Sequence, residues 1–283
     1  MARRTIRFKL YTIHAHIGNV APDYINLLQA IPEKFLKQDG DIRIAVGSRK
    51  LLGNRLFLVL YKGGTEKDTL NFNWTTYEEF MTTNLPGTGP ARKTRVVLDA
   101  IQRRAVIESG RECVSAEEFA KIVETKLRTI KQYGELKFSL APVAPEFAQS
   151  INRLSRIQSA SVSLLRPNAD WTDNLDELTK IASDSNGGVI DVGVRAGRGD
   201  SLSKELGIVP SIKAWVAGAR SAVAKAIIKG QDSESKFIEL KLSDYTESFN
   251  LSFQTTKESS RPSESEIESR LTTHLNSIGR EDV

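Results

Sequence analysis

Thr5-Ile6-Arg7-Phe8-Lys9-Leu10-Tyr11-Thr12-Ile13-His14-Ala15-His16-Ile17 alternates, with Ile6, Phe8 and Leu10 on one side and Arg7, Lys9 and Tyr11 on the other. Successive strand side chains point to opposite faces, so this period of two predicts a half-buried strand. Gly18 ends it. Downstream, Tyr24, Leu27, Leu28, Ile31 and Phe35 recur at helical spacing up to a stop at Gln38-Asp39-Gly40. Ile42–Val46 and Leu56–Tyr61 then predict a β-hairpin whose polar connection, Gly47–Asn54, forms a long tip with Arg49, Lys50 and Arg55 at or beside it.

Further outward, Leu70–Trp74 is strand-like, and Leu85–Thr94 is too rich in Pro and Gly for either regular structure, which makes it a basic loop. Val96–Glu108 predicts one long strand or a hairpin. Ser115 and Glu118 form a capping box for a helix expected to reach about Tyr133. The pattern then repeats: a strand at Lys137–Leu140, a helix at Phe147–Ile157 and a strand at Ser159–Leu165 halted by Pro167. Next come a helix at Leu175–Ala182, a strand at Gly188–Val194, a helix over Ser201–Gly230 interrupted at Pro210, and a hairpin of Lys236–Leu242 with Ser248–Gln254. The fold class is mixed α+β with two β-containing lobes, 1–134 and 135–255, followed by an acidic segment, 256–283. Residues 255–265 lack apolar side chains and predict a linker. Ile267, Leu271, Leu275 and Ile278 beyond it form one apolar helical stripe that must dock on its own domain or on a second subunit.

The 283 residues are 40% hydrophobic and 27% charged, which excludes disorder along the whole chain. No run of about 18 apolar residues occurs, and the N-terminus intersperses Arg3, Arg4, Arg7 and Lys9, so a cytoplasmic protein without a membrane span is expected. A single cysteine, Cys113, excludes an internal disulfide and a thiolate zinc cage. Three histidines restrict acid–base catalysis. His14 and His16 share a strand side, but no carboxylate cluster adjoins them in sequence to complete a metal site.

Charge is the most informative feature. The net charge is +5, and residues 1–62 hold 11 Lys/Arg against 4 Asp/Glu, whereas residues 231–283 hold 6 against 11. Arg49, Lys50, Arg55, Arg92, Lys93, Arg103 and Arg104 in the first lobe, with Lys213 and Arg220 on the helix after Ser211, are the candidate phosphate contacts. Lys225 and Lys229 lie further round that helix. No helix-turn-helix, zinc finger or aromatic RNA-binding signature accompanies them, so contact to the backbone of duplex DNA without sequence readout is expected. Gly87–Thr94 fails as a P-loop because Arg92 precedes Lys93-Thr94 and Pro90 blocks the nest. Gly193, Gly197 and Gly199, with Arg195 and Arg198, suit a plain turn or an anion loop before a helix. Asp232, Glu239 and Lys241 offer a Mg²⁺-nuclease alternative, although Ile238, Leu240 and Leu242 on the other face also describe an ordinary edge strand. No cofactor is implied.

The strings Lys9–Ile17, Asn54–Leu60 and above all Arg156–Asp170 followed by Asn186-Gly187-Gly188 resemble a bacterial family of unknown function. They are also distantly similar in layout to the lambda phage exclusion protein RexA, over about residues 1–255. The resemblance implies a phage-defence or phage-exclusion protein that binds DNA sequence-independently, as a homodimer and with a possible companion defence protein. It carries no functional residue across. The expected function is thus non-enzymatic DNA binding; the alternatives are the Mg²⁺ nuclease and a protein-interaction adaptor. On this reading, replacing Arg49, Lys50 and Arg55 together by Ala weakens DNA binding and leaves stability nearly unchanged, and deleting 256–283 weakens a dimer.

Overall fold

A computed structural model describes residues 2–18, 20–39, 42–64, 68–73, 78–83, 90–165, 189–217, 222–255 and 262–281. The opening alternation forms β1 (Ala2–Ile17), 16 residues long. Along one edge it pairs with β8 (Arg104–Glu108) through Phe8–Thr12. Along the other it pairs first with β14 (Ser248–Thr255), then with β9 (Leu136–Pro142). From β8 the sheet continues through β7 (Ala91–Asp99), β4 (Arg55–Gly64), β3 (Ile42–Leu52) and β2 (Leu36–Asp39). A separate ribbon pairs β5 (Asp68–Asn73) with β6 (Glu78–Thr83). The fold is mixed α+β.

Both faces of this eight-stranded sheet are covered. On one, Ile13, Ala15, Leu56, Leu58, Leu60, Val96 and Leu98 meet α1 (Tyr24–Ala30) and α2 (Ala116–Leu127) through Leu27, Leu28, Phe119, Ile122 and Val123. On the other, Ile6, Phe8, Leu10, Phe57, Val97, Val106 and Phe253 lie under Ile267, Leu271 and Leu275 of the C-terminal helix, α5 (Glu264–Glu281). The apolar stripe therefore docks on its own chain.

The second sheet runs β11 (Val189–Arg195), β10 (Arg156–Leu165), β12 (Val223–Gln231), β13 (Phe237–Lys241), all antiparallel. Its core face packs Ala160, Val162, Leu164, Ala226, Ile228 and Leu240 against α3 (Pro145–Asn152) and α4 (Ile208–Ala217). The chain leaves the first sheet at Val143 and returns at Glu247, and both residues hydrogen-bond Leu10. The pairing thus groups 2–142 with 248–281, whereas the sequence division at 134 and 255 follows chain order.

Several expected elements differ for identifiable reasons. Helix α1 stops at Ile31, whose extended conformation suits the residue before Pro32. The hairpin has no long tip: β3 runs to Leu52, and the turn is Gly53-Asn54, with Gly53 at φ 59°. Gly47 forms an irregularity in β3 where the Tyr61 ring crosses it, leaving no room for a Cβ. Ser201–Gly230 is not one helix. Pro210 sits in the first turn of α4, where its missing N–H is not needed, and Val223–Gln231 is a strand. The 236–254 hairpin does not form either: β13 joins β12 and β14 joins β1. The expected helix at Leu175–Ala182 lies outside the described residues.

Leu271 of α5 is fully buried against the first sheet. Leu271→Ala should lower the unfolding free energy by about 2–5 kcal/mol, the usual cost of such a cavity, measured by urea denaturation. An unchanged midpoint would place the helix elsewhere.

Candidate nucleic-acid interface

The cations of the first sheet are mostly engaged in holding the fold together. Arg49 lies in β3 with its side chain 13% exposed. It donates to the Leu28 and Gln29 carbonyls at 3.4 and 2.8 Å, closing the end of α1. Arg55 pairs with the fully buried Asp99 at 2.6 Å and reaches the Thr272 carbonyl of α5. Lys50 pairs with Glu268 at 2.7 Å, and Lys93 and Arg95 both pair with Glu264, at 2.8 and 2.7 Å. Arg103 occupies the β7–β8 turn at φ 52° with its guanidinium 4.7 Å from the Tyr24 ring centroid, and Arg104 is buried. Arg92 is exposed and Lys213 bonds Asn152. Arg220 lies outside the described residues. The structure therefore does not bring the predicted phosphate-binding residues into one patch, and the charge asymmetry is matched within the chain, basic strands against the acidic face of α5.

The nuclease arrangement is engaged in the same way. Asp232 accepts from the Glu234 and Lys236 backbone N–H groups of its own turn. Glu239 sits between Lys229 at 3.0 Å and Lys241 at 3.3 Å. Hydrogen bonds from those two lysines hold its carboxyl below the ordinary value. Among the described residues no three His, Cys, Asp or Glu side chains are grouped to hold a metal, and His14 and His16 are buried within the fold. The glycines at 193, 197 and 199 do not open a helix, since α4 begins only at Ile208.

A different cationic surface emerges on the second sheet. Alternation turns Ala226 and Ile228 to the core and Lys225, Ile227 and Lys229 of β12 outward. The register places Ser163 beside Lys225, Ser161 beside Ile227 and Ser159 beside Lys229. Across β10, Arg195 of β11 pairs with Ser159, and Lys241 of β13 lies opposite Ile227 on the other side. Four cations thus share one face with a central row of serines, accompanied by Glu239 and Asp191. Lys225, Lys229, Lys241 and Arg195 are all exposed. Sequence reasoning places Lys225 and Lys229 on a helix, because the Ala222–Ala226 stretch hides a short alternation. The signal that finds them is Lys-x-Ile-x-Lys at 225–229, period two rather than 3.6.

No family model matches the chain, and no curated protein matches it. No helix among the described residues is long and apolar enough to cross a membrane.

Arg55→Ala leaves the Asp99 carboxylate buried without its guanidinium and should cost about 3 kcal/mol. The Arg49, Lys50, Arg55 triple replacement should therefore destabilise the protein, seen as a lower urea midpoint. Burial pushes the Glu264 carboxyl up, but hydrogen bonds and charge from Arg95 and Lys93 outweigh it and hold the group below its ordinary 4.5. A carboxyl depressed in the folded state stabilises above the unfolded value and loses that contribution as pH falls through the folded one. Glu264→Gln should thus be less stable than wild type at pH about 7, and the difference should shrink as pH falls past the unfolded value and vanish in acid below the depressed folded one. A difference that persists unchanged in acid would remove the ion pairs from the account.

Proposed function

We propose that the protein binds nucleic acid without catalysis, through phosphate contacts on the face of the second sheet opposite α3 and α4. The observation that carries this reading is the placement of Arg195, Lys225, Lys229 and Lys241 on one face whose reverse side is the core. Neighbouring strands lie about 4.8 Å apart and residues about 3.4 Å along a strand, so these cations span roughly 14 Å in each direction. Such a basic field follows a phosphate backbone. Glu239 pairs with both Lys229 and Lys241, and with Asp191 it brings the four positive charges of the face down to a net two, with Lys225 and Arg195 outside those pairs. Binding is then independent of base sequence.

The prokaryotic phage-defence setting, the homodimer and a companion protein belong to the same proposal and rest on the sequence resemblance. A dimer would use a surface other than the α5 stripe, which is buried.

Titration of a labelled oligonucleotide by fluorescence anisotropy tests the reading. Affinity should fall steeply with salt, in proportion to the phosphates contacted. Replacing Arg195, Lys225, Lys229 and Lys241 together by Ala should weaken binding equally for unrelated sequences and flatten the salt slope by about one for each phosphate no longer neutralised. Binding unchanged in that variant, or absent from wild type at low salt, would overturn it.

A further inference from the structure

Phe237 is 55% exposed at the start of β13. Ile238 and Leu240 turn toward the core from this strand, so Phe237 shares the outer face with Glu239 and Lys241. Its register partner on β12 is Gln231, two residues beyond Lys229 on the same face. An aromatic ring and a side-chain amide therefore stand side by side at one corner of the basic face, with the Lys229 ammonium two residues along β12 and the Lys241 ammonium at the far end of β13, both paired with Glu239 between them. They correspond to the parts of one nucleotide: a ring for the base to stack on, an amide for its edge and cations for the flanking phosphates.

From this juxtaposition we infer that the face takes single-stranded nucleic acid in preference to duplex, with Phe237 as the stacking platform. The inference rests on the phosphate-binding reading above and adds the form of the nucleic acid. In a duplex both faces of every internal base are covered by neighbouring bases. The Phe237 ring would then gain nothing unless a base were unstacked, which costs a few kcal/mol. A single strand presents free π-faces, and base–aromatic stacking combined with a basic groove tolerates any sequence. Phe237 also lies outside the core: the residue is more than half exposed, whereas the nearby Leu240 is buried in it.

The full chain should be titrated by anisotropy with a labelled oligo-dT of about 15 nucleotides, within the range of single-strand site sizes, and with a duplex of the same length. At a matched salt of about 50 mM, the single strand should bind at least roughly tenfold tighter. Phe237→Ala should cut single-strand affinity by about 5- to 100-fold without changing duplex affinity or the salt slope, and Phe237→Tyr should restore it. Equal affinities with no effect of Phe237→Ala, while the four-cation variant still weakens binding, would overturn the single-strand inference and leave the phosphate reading standing. Full binding by the four-cation variant would overturn both.

Discussion

A single sheet with two apolar faces must be covered twice. In β1, Phe8 and Leu10 are buried on one side, and Ile13 and Ala15 on the other. Helices α1 and α2 cover one face. The other face requires a helix from the far end of the chain, and α5 supplies it. Fully burying side chains like Ile267, Leu271 and Leu275 contributes about 1.5–3 kcal/mol each, whereas a partly exposed ion pair such as Lys50 with Glu268 is worth about 0–1 kcal/mol. The apolar stripe therefore holds the helix down. The ion pairs of Glu264 and Glu268, with Arg270 donating to the Ser252 carbonyl and stacked over Phe253, fix its direction and register.

That arrangement decides where a ligand surface remains. With its two faces covered and its cations committed to α5, α1 and Asp99, the first sheet has few charges to offer a polyanion. Among the described residues the second sheet has helices on one side only, and its outer face keeps Lys225, Lys229 and Lys241 exposed. The proposed interface is in this sense a consequence of unequal coverage of the two sheets.

Local patterns are legible wherever one short-range rule decides them. The period of two in β1, the Ser115–Glu118 capping box and the amphipathic stripe of α5 all reappear in the structure. What the sequence does not display is pairing between distant residues. Arg49 and Lys50 look like solvated cations until α1 and α5 are brought beside them, and Asp99 shows no sign in sequence of being the partner of Arg55. Gly47–Asn54 reads as a loop because its residues are polar, yet the Gly47 irregularity and the Gly53 turn let the strands continue through it. The β12 face escapes notice because alanines satisfy either period, so the candidate interface emerges only with the strand itself.

The partnership of β1 with β14 also sets a timetable. Lys9 pairs with Ser248, and Ala2 with Thr255. At a synthesis rate of about 5–20 residues per second, roughly 10–50 seconds separate the emergence of those partners. During that interval the outer edge of β1 presents unpaired backbone groups, and the apolar face awaiting α5 is uncovered for longer still. Such an edge is a template for pairing with other chains. Until β14 emerges that edge has no partner of its own chain, and strands paired across so much sequence make folding of the finished protein slow as well.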